Sequence, residues 1–318
     1  MEYRRFGRSG VLVSVIGLGG NTFGRYCDAQ QTAAVIHRAL ELGINHIDTA
    51  DTYSRGLSEE YIGKAIAGRR DEVVLATKTG FPLHEGPNGQ GLSRRRIIAS
   101  VEASLRRLGT DYIDLFYLHR PDPHTPIDES LRALDDLVRS GKVRYAGISN
   151  YASWQIADIV HRCERAGYVV PIVSQSPYNL IDRSIEAELI PACEAFGLGI
   201  IPYSPLAGGF LTGKYRPDAP VPHGTRGYDN EAFQRRWLTP RNFRLLSVLE
   251  AFAAERDHTV AELAVAWLVA QPIVSSVIAG ATKPEQVEAN VTATSWKLTP
   301  DDLAELTRRL HEVDAAAV

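Results

Sequence analysis

The chain reads as an α/β protein closed into a (β/α)8 barrel, and three observations carry that reading. Short runs that are nearly continuous in apolarity alternate about eight times with stretches of helical periodicity. Glycines stand where those helical stretches should stop. The repeating units fill about 300 of the 318 residues without a linker or a break in composition, so one domain over residues 1–318 is expected. Eight strand–helix units in that length favour a closed TIM-type barrel over an open, doubly wound sheet.

The first fourteen residues, with YRRFGRSGVLVS, suit a short hairpin turning at Arg8–Ser9–Gly10 that plugs the barrel floor. The strand candidates are Val15–Leu18, Ile44–Asp48, Val73–Thr77, Ile113–Leu118, Tyr145–Ile148, Ile172–Gln175, Gly199–Tyr203 and Val274–Ile278. Between them lie amphipathic stripes: Ile97, Val101, Leu105 and Leu108, then Ile127, Leu131, Leu134 and Val138, then Ile185, Leu189, Cys193 and Phe196. Gly43, Gly109, Gly141, Gly167 and Gly197 follow helical runs, where a left-handed residue is wanted. Two irregular segments stand out. Phe81–Ser93 follows the third strand and Pro217–Pro240 the seventh, which puts both long loops over the C-terminal rim.

With 44% hydrophobic residues the chain can bury a large core. A formal net charge of −3 offers no electrostatic case for nucleic acid or an anionic membrane as partner. The basic clusters Arg94–Arg95–Arg96, Arg106–Arg107 and Arg235–Arg236 read as solvated helix faces. Cys27, Cys163 and Cys193 are too scattered for a disulfide framework or a zinc site, and no histidine pair has ligand spacing, so no metal is expected. Cys163 and Cys193 read as core residues, whereas Cys27, after a glycine-rich turn, is open to exposure. No apolar run has the ~20 residues of a membrane span, which leaves a reducing, cytoplasmic setting as the expectation.

Two motifs tempt and fail. GLGGNTFG has the wrong spacing for a GxGxxG dinucleotide fingerprint, and its glycines instead suit a first βα turn open to a ligand. GGFLTGKY approaches a P-loop, but Tyr215 stands where the magnesium-holding Ser or Thr belongs. A glycine-rich turn with Lys214 can still cradle a diphosphate through backbone N–H groups.

The chemistry concentrates in Asp48, Tyr53, Lys78 and His119, within HIDTADTY, LATKTG and LFYLHRPDP. Three successive strands end in these segments, and a parallel barrel gathers strand ends on one rim, where such barrels place their chemistry. A phenol is a poor acid at its free pKa near 10, so the Lys78 ammonium is expected to lower it, with Asp48 pairing Lys78. His119 can donate to the same carbonyl oxygen and orient it. Taken singly, each has an ordinary reading: Asp48 as a turn cap with Asp51 competing for its role, Tyr53 as a half-buried aromatic, His119 as a partner of the Arg120–Pro121 backbone.

At this point the sequence resembles the aldo-keto reductase family, in the subgroup that also includes potassium-channel β-subunits. GLGGNTFG, HIDTADTY, LATKTG, SLRRLGTDYIDLFYLHRPDP, GKVRYAGISNY, QSPYNL, IPYSPLAGGFLTGKY and IAGATKPEQVEAN carry the resemblance, in order, from Arg4 to about Leu310. It implies NADPH bound across the C-terminal rim, NADH not being excluded, and hydride transfer to an aldehyde or ketone, reversible to alcohol oxidation. Tyr53 matches the general acid, Lys78 and Asp48 its tuning pair, and His119 the orienting residue. Ser149, Asn150 and Gln175 resemble the trio that holds the nicotinamide carboxamide, and Tyr203 the aromatic stacked under the ring, although that position also suits plain barrel packing. Gly20, Asn21, Thr22 and Asp48 match cofactor-side positions near the first two strand ends. Ser204, Pro205, Leu206, Gly208 and Lys214 resemble the pyrophosphate clamp; Gly280, Thr282, Lys283, Gln286 and Asn290 resemble the adenosine end.

Two positions depart from the family pattern. Gln286 stands where many members carry the arginine that grips the 2′-phosphate, and Ala289 replaces a frequent glutamate near the adenine. Lys283 or Arg226 can supply the missing charge. The expected substrate is a small carbonyl compound, sugar-like compounds included, selected by Phe23, Tyr26, Cys27 and the two long loops. The competing class is a cofactor-binding redox sensor with little turnover, like the channel β-subunits. A third reading is an aldolase that uses Lys78 as a Schiff-base nucleophile. Sequence alone is silent on oligomeric state.

Overall fold

A computed structural model describes residues 1–315 of the protein. An antiparallel hairpin, β1 (Tyr3–Arg5) and β2 (Leu12–Ser14), precedes the barrel. Eight parallel strands then close on themselves: β3 (Ile16–Gly19), β4 (His46–Asp48), β5 (Val74–Thr79), β6 (Ile113–Leu118), β7 (Val143–Ser149), β8 (Val173–Pro177), β9 (Gly199–Tyr203) and β10 (Val277–Gly280). Sequential strands are neighbours, and β10 returns to pair with β3, Val277 opposite Ile16. This is the expected (β/α)8 barrel.

The outer layer holds α1 (Ala29–Glu41), α2 (Leu57–Ala65), α3 (Arg94–Leu108), α4 (Ile127–Arg139), α5 (Ser153–Ala166) and α6 (Leu189–Phe196), one after each strand from β3 to β8. After β9 come α7 (Glu231–Trp237), α8 (Pro240–Ala254) and α9 (Val260–Val269); α10 (Pro284–Ala293) and α11 (Pro300–Ala315) follow β10. Starts and stops are local in origin. Asp28 and Gln31 form a reciprocal cap on α1, and Thr259 and Glu262 do the same on α9. Gly109, Gly167 and Gly197 close α3, α5 and α6 at φ of 62°, 68° and 70°, where a side chain would be strained.

Some expected boundaries move. The last strand begins at Val277 rather than Val274, because Val274–Ser276 are buried at the barrel base with only a bridge from Val274 to Ile200. Apolarity reports burial, not pairing. The second strand likewise starts at His46, after Ile44 and Asn45. The stripe from Ile185 to Phe196 is two pieces: a 3-10 turn at Ser184–Glu186 and α6 from Leu189, with Glu188 at φ −135° between them. Starting α6 there places Pro191 in its first turn, where a missing N–H costs nothing. The long segment after β9 is irregular only to Asn230, whose side chain accepts the N–H of Phe233 at 3.0 Å and starts α7.

The arginine clusters are not uniformly solvated. Arg96 is buried and ion-paired to Asp51 at 2.6 Å, and Arg107 pairs Glu59 at 2.6 Å. Both acids also take a hydroxyl from β5: Thr79 donates to Asp51 and Thr77 to Glu59. These networks pin α2 and α3 to the outside of the barrel.

The inside follows the two-residue strand period. Phe6 from the hairpin, Ala76, Leu115, Tyr117, Val173 and Ile201 pack as an interior cluster, and the Phe6 ring meets the His46 ring edge-on at 5.0 Å. The hairpin thus seals the floor. Two residues further along β4, β5 and β8 the inward positions are Asp48, Lys78 and Gln175, at the rim.

Candidate active site

Adjacent registers bring the rim residues together. Asp48 lies opposite Ala76 on β5, and Lys78 opposite Tyr117 on β6. The Lys78 ammonium donates to Asp48 Oδ1 and, at 2.7 Å, to the Thr49 carbonyl. Gln175 Nε2 donates to Asp48 Oδ2 at 2.9 Å, so one carboxylate ties β4, β5 and β8. Lys78 is wholly buried, and burial pulls its pKa below the usual lysine value against the opposing pull of Asp48. Asp51, the rival for this pairing, instead faces Arg96, Ser100 and Thr79 outside the barrel.

Tyr53 opens a 3-10 turn after β4 in which Ser54 and Arg55 take left-handed φ of 50° and 55°. Such a backbone is costly for residues with side chains and persists only where neighbours hold it. Here Ser54 Oγ donates to the Phe23 carbonyl at 2.7 Å. The half-buried Tyr53 ring lies 5.3 Å from the Lys78 ammonium and edge-on to His119 at 5.9 Å. Contrary to expectation, its phenol is pushed up rather than down, first by burial and then by the charge of Asp48. Burial dominates because it removes the hydration a phenolate needs, and the Asp48 carboxylate adds negative charge beside it.

His119 is buried, and its backbone N–H donates to the Thr79 carbonyl at 2.9 Å. Its Nδ1 has no hydrogen-bond partner, so the ring is not spent on the Arg120–Pro121 backbone. Burial first, then the charges of Lys78 and Arg120, lower its pKa to about 2, which leaves a neutral imidazole at ordinary pH. The Phe81 ring stands edge-on to it at 4.6 Å.

The remaining rim positions fall into three groups. Ser149, Asn150, Gln175 and Tyr203 are linked: Tyr203 donates its hydroxyl to Asn150 Oδ1 at 2.9 Å, and Asn150 Nδ2 donates to the His119 carbonyl and to Ser149 Oγ, both at 3.0 Å. Asn150 reaches that position with φ of 63°. The second group joins the first and last strands. Gly20–Thr22 forms a single turn, Thr22 Oγ1 donates to the Ala281 carbonyl at 3.0 Å, and a Cβ on Gly280 would stand 3.5 Å from Asn21 Oδ1. On the same side Gln286 Oε1 accepts the Thr282 N–H at 2.7 Å, Lys283 is exposed at the start of α10, and Asn290 is half-buried on it.

The third group follows β9: Ser204, Pro205, Leu206, Gly208 and the exposed Lys214. Ser204 has φ of 56° and its carbonyl accepts from Asn179 Nδ2 at 3.2 Å. Gly208 and Gly209 have φ of 68° and 103°, and a Cβ on Gly208 would meet Phe233 at 2.9 Å and Arg226 Cδ at 3.7 Å. Turned glycines with Lys214 and Arg226 beside them suit an anion such as a diphosphate. A half-exposed Tyr203 ring among amide side chains suits a flat heteroaromatic amide. The residues present therefore fit a nicotinamide dinucleotide.

Some expectations do not hold. Cys27 is buried, with Sγ 3.7 Å from the Thr282 carbonyl, and Phe23 is buried in the main core; of the three first-turn residues only Tyr26 is exposed. Other contributors escape a motif reading: Phe81 against His119, and Tyr117, whose buried ring lies 5.5 Å from the Lys78 ammonium. The period of two in β6 is the signal for Tyr117, since it places that ring inside beside Lys78.

Comparison with known proteins identifies the family. A family model described as the Aldo/keto reductase family matches residues 15–310. A probable voltage-gated potassium channel subunit beta of Arabidopsis thaliana is 39% identical over 92% of this chain and 91% of its own length. An L-glyceraldehyde 3-phosphate reductase of Escherichia coli K12 is 35% identical over 99% of this chain and 92% of its own. An aflatoxin B1 aldehyde reductase of Rattus norvegicus is 37% identical over 87% and 79%.

Proposed function

The chain belongs to the aldo/keto reductase family, and from that premise we propose that it reduces small aldehydes or ketones with NADPH, using Tyr53 as the general acid. Reductase chemistry with a nicotinamide cofactor is the family's activity; the residue roles and the choice of NADPH are our reading. The observation that carries it is the buried Asp48–Lys78 pair beneath the Tyr53 and His119 rings.

When bound, the cofactor supplies the hydride. The chain's own part is to hold the carbonyl oxygen between two donors and to deliver a proton. Neutral His119 donates a hydrogen bond that orients the oxygen. Tyr53, kept protonated by burial, gives its proton to the developing alkoxide, which is a stronger base than a phenolate. Lys78 then lies close enough for its ammonium to stabilise the phenolate left behind, while Asp48 keeps Lys78 charged against desolvation. With two of its three donors engaged by Asp48 and Thr49 and its side chain wholly buried, Lys78 is ill placed to act as a Schiff-base nucleophile.

NADPH is favoured over NADH by the cations of the second and third groups. Lys214, Arg226 and Lys283 offer charge for a 2′-phosphate, where Gln286 is spent on the Thr282 backbone. Three unpaired thiols support work in a reducing, cytoplasmic compartment. The named relatives support carbonyl substrates that include phosphorylated hydroxy-aldehydes. The channel-subunit relatives support a second reading, a cofactor-bound sensor with negligible turnover.

Tyr53→Phe is the test. It is expected to lower carbonyl reduction by about 10²- to 10⁴-fold while NADPH affinity, read by fluorescence titration, stays nearly unchanged. Wild-type turnover in that variant would remove Tyr53 from the role. Tight NADPH binding by the native protein without turnover on any aldehyde would favour the sensor. Parallel titration with NADH checks the cofactor preference.

A further inference from the structure

The rim carries a cation that no acid among the described residues pairs. Arg120 directly follows His119, is half-buried, and lays its guanidinium 4.5 Å from the centroid of the Phe81 ring. Phe81 in turn stands edge-on to His119 at 4.6 Å. Among the described residues no hydrogen bond or ion pair engages that guanidinium. This sets it apart from Arg70, Arg96, Arg107, Arg139, Arg183 and Arg256, which are all ion-paired.

The nearest acid in sequence is already occupied. Asp122 accepts the N–H groups of Leu92 at 2.7 Å and His124 at 3.0 Å, and the Thr125 hydroxyl at 2.7 Å. The backbone that presents Arg120 is anchored as well: Asn150 holds the His119 carbonyl at 3.0 Å, and Tyr151 donates to the Arg120 carbonyl at 3.4 Å. A planar five-donor fork, fixed at its base and, among the described residues, left without a hydrogen-bond acceptor at a substrate rim, is the geometry that selects carboxylates and phosphates.

We propose that Arg120 is a specificity-determining residue that selects carbonyl substrates bearing an anionic group, a carboxylate or a phosphate monoester, a few bonds from the carbonyl. The inference rests on the reductase reading above, with the carbonyl oxygen at Tyr53 and His119. The anion reaches Arg120 across the Phe81–His119 contact and gains charge-assisted hydrogen bonds without displacing an internal partner. The cation–π contact with Phe81 restricts the guanidinium and lowers the entropy lost on binding.

The test compares kcat/KM with NADPH for succinic semialdehyde, glyceraldehyde 3-phosphate and neutral glyceraldehyde. For the native protein the ratio of an anionic to the neutral substrate is expected to be about 10 to 100. Arg120→Met should bring that ratio toward one, mainly through KM, and Arg120→Lys should restore part of it. Preference for only the carboxylate or only the phosphate identifies which anion the site takes and supports the proposal. A native ratio near one overturns it, as does an Arg120→Met variant that slows all three substrates by the same factor; either leaves the reductase reading standing. No turnover of any of the three substrates sinks that reading and this inference with it.

Discussion

Asp48 and Asp51 stand three residues apart, both buried, and both bind a cation, yet they belong to different parts of the molecule. Asp48 faces the barrel interior with Lys78, which nearby burial strips of hydration and pulls down in pKa. Asp51 faces outward, where Arg96, Ser100 and Thr79 all bond its Oδ2. The inner pair is sparsely bonded, lies against the Tyr53 ring and has its acid shared with Gln175. The outer one is enclosed by three donors, from Arg96 and Ser100 of α3 and Thr79 of β5. The contrast teaches that a buried ion pair is poised for chemistry when its partners are few and open toward a rim. When its partners are many and enclosed by helices, it is a fastening.

The sharpest way to break the contrast is to remove the two cations. Lys78→Met is expected to lower turnover by about 10³-fold, comparable to loss of the phenol itself, in protein that still binds cofactor. Arg96→Met should instead lower unfolding free energy by about 3–5 kcal/mol, since it strands a buried carboxylate, with kcat of the folded fraction within a few-fold of native. Denaturant melts and steady-state rates on both variants decide it. An Arg96→Met enzyme that stays folded but inactive would show the outer network to be part of the chemistry.

The next effect lies in the interior layer beneath Asp48. His46 is wholly buried, its Nδ1 bonded to Ser276 Oγ at 2.9 Å, and burial lowers its pKa from 6.5 to about 4. Neutral when folded and free to protonate when unfolded, it contributes stability that is complete above pH 6.5 and is lost as pH falls toward 4. The slope from this one group is about 1.4 kcal/mol per pH unit. Urea midpoints should therefore fall between pH 6 and pH 4 more steeply in the native protein than in His46→Asn; equal slopes would contradict the assignment. The smallest effect belongs to the outer network. Thr79→Val removes one of three donors to Asp51, and a loss of about 1 kcal/mol is expected, with activity unchanged. A larger loss of activity than of stability would move Thr79 to the inner group.

Much of this was legible in the chain itself. Apolar strands of period two, helical stripes and left-handed glycines at 109, 167 and 197 are local signals, and they specify the barrel because each element must bury one face. The rim residues were legible because strand ends in a parallel barrel converge on one face. Other features were not. RRR at Arg94–Arg96 looks solvated until α3 is turned so that Arg96 meets Asp51. Ser54 and Arg55 carry no mark of the left-handed turn that aims Tyr53, because Phe23 from another loop holds it. Phe23 and Cys27 look like rim residues until the first turn folds them inward.

By itself, then, the sequence determined the order of elements, the barrel and the short set of groups able to act on a carbonyl, since all three follow from local pattern and residue chemistry. Only the tertiary structure decided which acid pairs Lys78, that burial raises rather than lowers the Tyr53 phenol, and that Arg120 meets the Phe81 ring and no acid among the described residues. Those depend on which face each side chain takes and on what other strands bring to it. Charge and burial are sums over neighbours distant in the chain, and no window of sequence contains them.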